Sequence, residues 1–210
     1  MSAVHYADSL PGGAWDASLL EPMAELNAEI LEATVGLTVR DSDEVDPYSL
    51  RWQWRVLSES GRLRLARCPY LLVDAQFANP ELWLNLPRAG VHEIAAVRAE
   101  PPRALPLATP LLRRILLFAW YLARTNGLSA RIVLGMNPTC AKAIAGCRLI
   151  DLENLAEQRP LWIKTRWHDR PDIWRSWLFA AELESSRELE RLQLWGLQTL
   201  AGLENSPSKP

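Results

Sequence analysis

The chain has 210 residues, 49% of them hydrophobic, and a formal net charge of −2, so it can bury the core of one domain or of two small ones. Its three cysteines (Cys68, Cys140 and Cys147) fit neither a disulfide framework nor a zinc-ligand spacing, and we expect buried thiols. The N-terminus lacks the basic-then-apolar pattern of a signal peptide, which makes the cytoplasm the expected compartment.

Charge is divided unevenly along the chain. Residues 1–102 hold eight basic and fifteen acidic side chains, a net charge of −7, whereas residues 103–177 hold twelve and five, a net charge of +7. One interpretation is that the basic half binds nucleic acid or an acidic partner. The other is that the two halves attract each other inside the molecule, and the sequence favours neither.

The first half is predicted to hold short helices separated by turn residues. Residues 1–20 contain Pro11-Gly12-Gly13 and are expected to be flexible. The predicted elements that follow are an amphipathic helix from Pro22 to Leu37, an acidic break at Asp41–Asp46, a helical pair over Leu50–Leu65, an extended segment over Tyr70–Phe77, a short helix after Asn79-Pro80 and a proline-rich linker over Pro87–Pro106.

The stretch Thr109–Gly127 is predicted to be the central helix of the chain. Thr109 and Pro110 suit its start, and Asn126-Gly127 is expected to end it in a left-handed conformation. Residues Ile115–Ala123 are apolar on every side of the helix, and this run is far shorter than the ~20 residues that a bilayer requires. We therefore expect this helix to be enclosed on all sides within a helical domain.

The rest of the second half continues the helical pattern. The predicted elements are a helix over Leu128–Leu134 ended by Gly135, a helix from Asn137-Pro138 to Gly146, a helix over Leu152–Glu157 capped by Asp151, an extended segment over Trp162–Trp167, a helix from Asp169 and Pro171 to Leu183, a final helix opened by a capping box of Ser185 and Glu188, and a disordered tail over Asn205–Pro210.

A spacing of 91 residues relates the two halves. The segment Pro80-Glu81-Leu82-Trp83 recurs 91 positions later as Pro171-Asp172-Ile173-Trp174, and Pro47 and Pro69 recur at the same spacing as Pro138 and Pro160. Matched prolines in matched context indicate two copies of one unit of ~90 residues. Because such units are small, we expect them to share one core.

The second half also carries the pattern of a known family. Its residues are Leu116, Leu117, Ala119 and Leu122 in the long helix, then Ser129-Ala130, Leu134-Gly135, Asn137, Ala141, Gly146, the run Leu155-Ala156-Glu157, Leu161 and Arg166. Through them the stretch Leu116–Trp167, a quarter of the chain, resembles the FlhD family, the helical subunit of the bacterial flagellar master transcription regulator.

The resemblance implies an all-helical unit without a catalytic motif, which pairs with a second copy of itself and, in that family, joins a DNA-contacting, zinc-binding subunit. With the repeat, it predicts an all-α fold in which a tandem duplication of an FlhD-like unit forms an intramolecular pseudodimer. Two features depart from the family: this chain holds two units, and the family's cysteine is absent near Ile163, so no intersubunit disulfide is expected there.

The expected organisation follows from these boundaries. It consists of a flexible N-terminus (1–20), a first, acidic FlhD-like unit (21–87), a proline-rich linker (88–108), a second, basic FlhD-like unit (109–184), a C-terminal amphipathic helix (185–204) and a disordered tail (205–210).

Residues 138–155 have the apolar pattern of a helix-turn-helix. Its second helix, however, would present Glu153, Asn154, Glu157 and Gln158, and carboxylates oppose binding to a phosphate-lined groove. A plain packed helix pair is therefore favoured over a recognition helix.

Six basic residues are the candidates for binding nucleic acid or a protein partner: Arg131, Lys142, Arg148, Lys164, Arg166 and Arg170. Such residues can contact phosphates, and Trp162 or Trp167 could stack on a base. The alternative is a solvated basic face, or one paired with the acidic first unit.

No catalytic function is expected. His168-Asp169 is interpreted as part of a helix cap rather than as a catalytic pair, and the sequence shows no phosphate-binding glycine loop, nucleophile elbow or metal-ligand spacing. No cofactor, metal, membrane or small-molecule substrate is predicted.

The sequence therefore predicts a non-enzymatic FlhD-like regulator that binds a macromolecule. One version regulates transcription on DNA with a partner subunit, favoured by the resemblance and the basic second unit. The alternative is a protein-binding adaptor or assembly factor with no DNA binding, favoured by the acidic helix at Leu152–Gln158 and by the absence of the partner's four-cysteine zinc site.

Overall fold

The computed structural model describes residues 17–40, 50–86, 108–183 and 187–202. This described part is mostly helical, as predicted. The predictions for residues 1–16, the acidic break Asp41–Asp46, the linker up to residue 107, the Ser185 cap and the tail Asn205–Pro210 lie outside the described residues. Residues 17–20 belong to the segment predicted to be flexible, but they form a 3-10 turn, Ala17–Leu19, and the first residue of the following helix.

Ten α-helices and two short strands account for most of the described residues. The helices are α1 (Leu20–Arg40), α2 (Leu50–Val56), α3 (Glu59–Ala66), α4 (Pro80–Leu84), α5 (Ala108–Thr125), α6 (Gly127–Leu134), α7 (Pro138–Ala145), α8 (Leu149–Gln158), α9 (Pro171–Glu182) and α10 (Arg187–Gly202). The strands are β1 (Val73–Asp74) and β2 (Lys164–Thr165), and 3-10 turns span Ala17–Leu19 and Pro160–Trp162.

Several helix ends form where turn residues predict them. Asn79 and Asn137 each cap a helix that begins with proline, and their side chains accept hydrogen bonds from the backbone N–H of Leu82 (3.4 Å) and Thr139 (2.8 Å). Gly135 ends α6 with a φ of 59°, the left-handed conformation that glycine adopts without steric cost.

Two helix starts in the second half differ from the predictions. Arg148, not Asp151, is the N-cap of α8, because the Asp151 carboxylate reaches back from the first turn to accept the backbone N–H of Arg148 (3.4 Å). Arg170 likewise replaces Asp169 as the N-cap of α9. An acidic residue near a helix start can thus lie on either side of the boundary.

The central helix α5 is buried on one face only, so the prediction that it is enclosed on all sides is wrong. Its buried residues are Ala108, Leu111, Leu112, Ile115, Leu116, Ala119 and Leu122. Helices α1, α6, α7 and α8 pack against α5, yet Tyr121 remains 55% exposed. The end of the helix also differs, because Asn126 caps the start of α6, accepting from Ser129 N at 3.0 Å, instead of ending α5 in a left-handed conformation.

The two halves of the chain interleave. Strands β1 and β2 pair antiparallel, with Val73 opposite Thr165 and Asp74 opposite Lys164. Helix α4 of the first half packs against α7 of the second, while α9 of the second half packs against α2 and α3 of the first. The two long helices α1 and α5 also contact each other. One core of buried apolar side chains from both halves results.

A buried asparagine holds the segment that enters β1. The Asn27 side chain in α1 donates to the carbonyls of Ala66 (3.2 Å) and Tyr70 (3.0 Å), and its Oδ1 accepts from Leu72 N (2.9 Å). These bonds satisfy backbone groups of an irregular buried segment, which would otherwise carry a desolvation cost.

Candidate functional site

The six basic candidates lie on different elements of the second half. Arg131 is in α6, Lys142 in α7, Arg148 at the N-cap of α8, Lys164 in β2, Arg166 directly after β2 and Arg170 at the N-cap of α9. Whether they bind a partner depends on which of them present their charge to solvent.

Arg166 does not present its charge to solvent, because it is part of the core. Its side chain is buried, and the guanidinium donates from Nε to the carbonyl of Leu71 (2.6 Å) and from Nη2 to that of Leu134 (2.7 Å). Burial lowers the pKa of Arg166, while the nearby carboxylate of Asp74 acts in the opposite direction. The assignment of Arg166 as a contact residue is corrected: its guanidinium holds the segment before β1 and the C-terminal end of α6, and its charge does not reach a phosphate.

Arg148 and Arg170 are exposed, but each is already paired with a carboxylate. Arg148 Nη2 lies 2.7 Å from Asp151 Oδ1, and Arg170 Nη2 lies 2.8 Å from Asp172 Oδ2. The hydrogen bonds from these arginines lower the pKa of Asp151 and of Asp172. Both arginines therefore serve a helix start, and a phosphate would have to compete with a neighbouring carboxylate for them.

Two of the remaining candidates face solvent. Lys142 on α7 and Lys164 in β2 are exposed, whereas Arg131 on α6 is half-buried. Lys164 lies opposite Asp74 in the strand pair. Fewer of the six candidates than predicted therefore present a positive charge to solvent, and Lys164 does so opposite an acidic residue.

Helices α7 and α8 each pack against the central helix α5. Helix α8 buries Leu152, Leu155 and Ala156 in the core. On its outer side Glu157 is exposed and forms an ion pair with Arg113 of α5 (2.9 Å). A recognition helix needs a side free of such acidic groups to enter the major groove.

Two cysteines are buried, as the sequence predicts. Burial raises the pKa of Cys68 to about 12 and that of Cys140 to about 11, so both stay protonated at neutral pH and are poor nucleophiles. Cys147 is only partly buried. Among the described residues, no group of three or more His, Cys, Asp or Glu side chains is arranged to hold a metal ion, and no helix has the length and apolar character to cross a bilayer.

An exposed apolar surface lies where α5 meets the start of α8, and the sequence predictions missed it. Tyr121 of α5 is 55% exposed, and Leu149 and Ile150 of α8 are 46% and 52% exposed. Trp120 of α5 donates its indole N–H to the carbonyl of Cys147, in the turn that precedes α8 (2.9 Å). We name Leu117, Tyr121, Leu149 and Ile150 the outer α5–α8 face. The signal was present in the sequence: a helix that is apolar on every side, but not fully covered, must expose part of its apolar surface.

Comparison of the chain with models of protein families, with curated proteins and with solved structures finds no match. Its function must therefore be inferred from the geometry described above.

Proposed function

We propose that this chain is a non-enzymatic FlhD-like regulator that acts by binding a macromolecule, and that its two halves are copies of one helical unit arranged as an intramolecular pseudodimer. The register of the strand pair supports the duplication. Under a two-fold arrangement with an offset of 91 residues, the pair Val73–Thr165 maps onto Lys164–Asp74, which is the second observed pair.

The backbone conformation after each strand also supports the duplication. Gln76 and Trp167 are 91 positions apart, and both adopt the left-handed region, with φ values of 62° and 49°. This conformation is uncommon for residues other than glycine and an outlier for a bulky aromatic. Next to each turn an indole N–H is bonded to a carbonyl, Trp83 to Gln76 O (2.8 Å) and Trp174 to Arg166 O (2.7 Å).

The packing of the last helix of each half is the third observation that supports the duplication. In a symmetric pair of units, the last helix of each unit would pack on the early helices of the other. Helices α4 and α9 begin 91 residues apart, at Pro80 and Pro171, and each packs against helices of the opposite half.

The geometry favours a protein as the macromolecule, which is the adaptor version of the function. The observation that carries this choice is the state of the basic candidates, since Arg166 is in the core and Arg148 and Arg170 are paired with carboxylates. DNA remains the second candidate because Lys142 and Lys164 are exposed.

Salt-dependent DNA binding separates the two versions. The anisotropy of a labelled duplex of ~30 base pairs is measured with the full chain between about 50 and 200 mM salt, where each phosphate contact adds about 0.9 to the log–log slope. For an adaptor we expect no binding. Binding that weakens steeply with salt, and whose slope falls in Lys142→Ala/Lys164→Ala but not in the control Arg55→Ala/Arg67→Ala, would establish the DNA version instead.

Superposition tests the duplication. In a crystal structure of the chain, residues 22–86 should superpose on residues 110–177 through an approximate two-fold axis. An unrelated arrangement of the first half would refute the pseudodimer whatever the outcome with DNA.

A further inference from the structure

Five tryptophans form a continuous row that leads from the shared core to the surface of α10. Successive ring centroids lie 4.9, 5.3, 5.2 and 5.7 Å apart, so each indole contacts the next at the spacing of aromatic pairs. We name this set the tryptophan row, and its members in order are Trp54, Trp174, Trp177, Trp167 and Trp195. The first three are at most 4% exposed, whereas Trp195 is 43% exposed. The row therefore connects the core with solvent.

Packing alone does not account for the indole at the centre of the row. Trp177 is fully buried, and its Nε1 has no hydrogen-bond partner among the described residues. A buried donor without a partner carries a desolvation cost, which an apolar side chain of similar size would avoid. The tryptophan at this position therefore indicates a role for the ring itself.

The turn at Trp167 is the second place where packing alone does not call for tryptophan. Its φ of 49° is unfavourable for a bulky aromatic residue, and the matched turn of the first half holds Gln76 in the same conformation. The turn itself thus does not require an aromatic side chain. At this position the ring lies between Trp177 and Trp195, and so it joins the buried part of the row to the exposed part.

A row of contacting indoles is a path for electrons. Indole is among the side chains that lose one electron most easily, and an oxidised ring can regain an electron from a ring in contact with it. Each such transfer moves the positive charge one ring along the row. Because a positive charge costs more free energy in the core than in water, the charge is drawn toward Trp195.

The hydrogen bonds of the row suit this transfer. Trp174 donates its indole N–H to the carbonyl of Arg166 (2.7 Å), which is too weak a base to take the proton, and the unpaired N–H of Trp177 faces no base among the described residues. An oxidised ring at either position therefore keeps its proton, and the charge stays mobile. Trp195 is exposed to water, which can accept its proton and hold the radical at the surface.

We propose that the tryptophan row carries one-electron oxidising equivalents out of the core to Trp195, where a diffusible reductant of the thiol or ascorbate class removes them. An oxidant of the oxygen-radical class takes one electron from Trp54 or Trp174 and leaves an indole radical cation. Electrons then pass inward along the row, one per step, until Trp195 is the oxidised ring. Trp195 releases its N–H proton to water, and the reductant returns one hydrogen atom, so that the indole is restored and the reductant becomes the radical.

Oxidation from a fixed point tests the proposal. Arg55 is exposed and follows Trp54 directly in α2. A ruthenium tris(bipyridine) photosensitiser is attached to the full-length variant Arg55→Cys, with Cys147→Ser added because Cys147 is only partly buried. A light pulse in the presence of a soluble electron acceptor then produces Ru(III) beside Trp54. We expect transient absorption to show an indole radical, and peptide mass spectrometry to find the stable oxidation product mainly at Trp195 and suppressed by ascorbate.

Two substitutions interrupt the row at different points. Trp167→Phe places a ring of related shape, but one that is much harder to oxidise, between the buried and exposed parts of the row. The product at Trp195 should then be lost and product should appear at Trp174 and Trp177 instead. Trp195→Phe removes the exit at an exposed position, where folding is not at risk. It should shift the product to the same two buried rings and abolish the protection by ascorbate.

A matched control is Trp120→Phe. Trp120 is half-buried in α5, and its ring stacks with Arg124 outside the tryptophan row. This substitution should leave the distribution of oxidation products unchanged. Thermal melting of each labelled variant reports whether it is folded.

Two results would overturn the proposal. Product confined to the residues beside the label would show that the row does not carry the charge. Product at Trp195 that is unchanged in Trp167→Phe would show that Trp195 is oxidised directly because it is exposed. If Trp167→Phe does not fold, Trp195→Phe decides the question, because the absence of any new product at Trp174 and Trp177 in that variant equally contradicts a path through them.

Discussion

The long helices of the two halves are alike in their buried apolar faces but differ in the side chains that they expose. The long helices α1 and α5 each bury one face in the same core. On their outer sides, however, α1 exposes Glu21, Glu25 and Glu32, whereas α5 exposes Tyr121 and arginines. The core does not require this difference, because neither set of side chains is enclosed by it. The comparison therefore directs the search for function to the outer side of α5.

The largest predicted effect tests whether the halves share one core. Trp83 and Trp174 lie 91 positions apart in the sequence, are 3% and 2% exposed, and each donates its indole N–H to a backbone carbonyl. Trp83→Ala and Trp174→Ala should each cost about 3–5 kcal/mol, because each leaves a large cavity and an unsatisfied carbonyl. Calorimetry should show a single transition whose midpoint falls in both variants.

Two separate transitions, with only one shifted by each substitution, would contradict this prediction. The halves would then be independent domains despite their strand pairing. A control is Leu63→Ala, which truncates an exposed side chain of the first half and should leave the midpoint nearly unchanged.

The next prediction concerns an internal difference between the halves. Asn27 bonds the segment 66–72 to α1 through its carboxamide, whereas the described buried face of α5 is entirely apolar. Asn27→Ala should cost about 3 kcal/mol, because it removes several bonds and leaves buried backbone groups without a partner. Urea denaturation measures the loss, with Asn154→Ala on the outer side of α8 as the control.

Hydrogen exchange locates this effect. The amide of Leu72, which donates to Asn27, should exchange faster in Asn27→Ala, while core amides of α5 should change only as far as global stability does. Unchanged exchange at Leu72 would show that the segment is held by packing and not by the asparagine.

Local signals in the sequence were sufficient for several helix ends but not for the surroundings of the helices. The pairs Asn79-Pro80 and Asn137-Pro138 and the stop at Gly135 act within one helical turn, and the corresponding predictions are confirmed. The extended segment Tyr70–Phe77 is likewise confirmed only in its short centre, β1. Pairing of β1 with β2 depends on residues 91 positions away.

The errors arise where a residue's partner is distant in sequence. Arg166 is a predicted contact residue because basic side chains can contact phosphates, yet its acceptors, Leu71 and Leu134, lie 95 and 32 positions away and place it in the core. The enclosure of α5 was inferred from composition, which reports how apolar a helix is but not how many neighbours cover it. Exposure of Tyr121 could be found only from the fold.

A smaller effect is expected at the matched turns after the strands. Gln76 adopts a left-handed conformation that glycine tolerates better, so Gln76→Gly should raise stability by about 1 kcal/mol at most. Trp167→Gly should show no such gain, because Trp167 packs against Tyr70, Trp177 and Trp195 at centroid distances of 6.0, 5.2 and 5.7 Å. Thermal melting of both variants decides the sign, and destabilisation by Gln76→Gly would mean that its side chain outweighs the backbone strain.

The smallest predicted effect tests whether opposite charge holds the halves together. Glu29 and Arg114 form an ion pair between the halves, but their side chains are 33% and 56% exposed. Solvent screening and the entropy of two long side chains limit such a pair to less than about 1 kcal/mol. A double-mutant cycle of Glu29→Ala and Arg114→Ala should give a coupling of this size that fades with added salt. The cycle of Arg113→Ala and Glu157→Ala, a pair within the second half, should give a similar value. A coupling between the halves several times larger than the one within the second half would show that their opposite charges serve assembly.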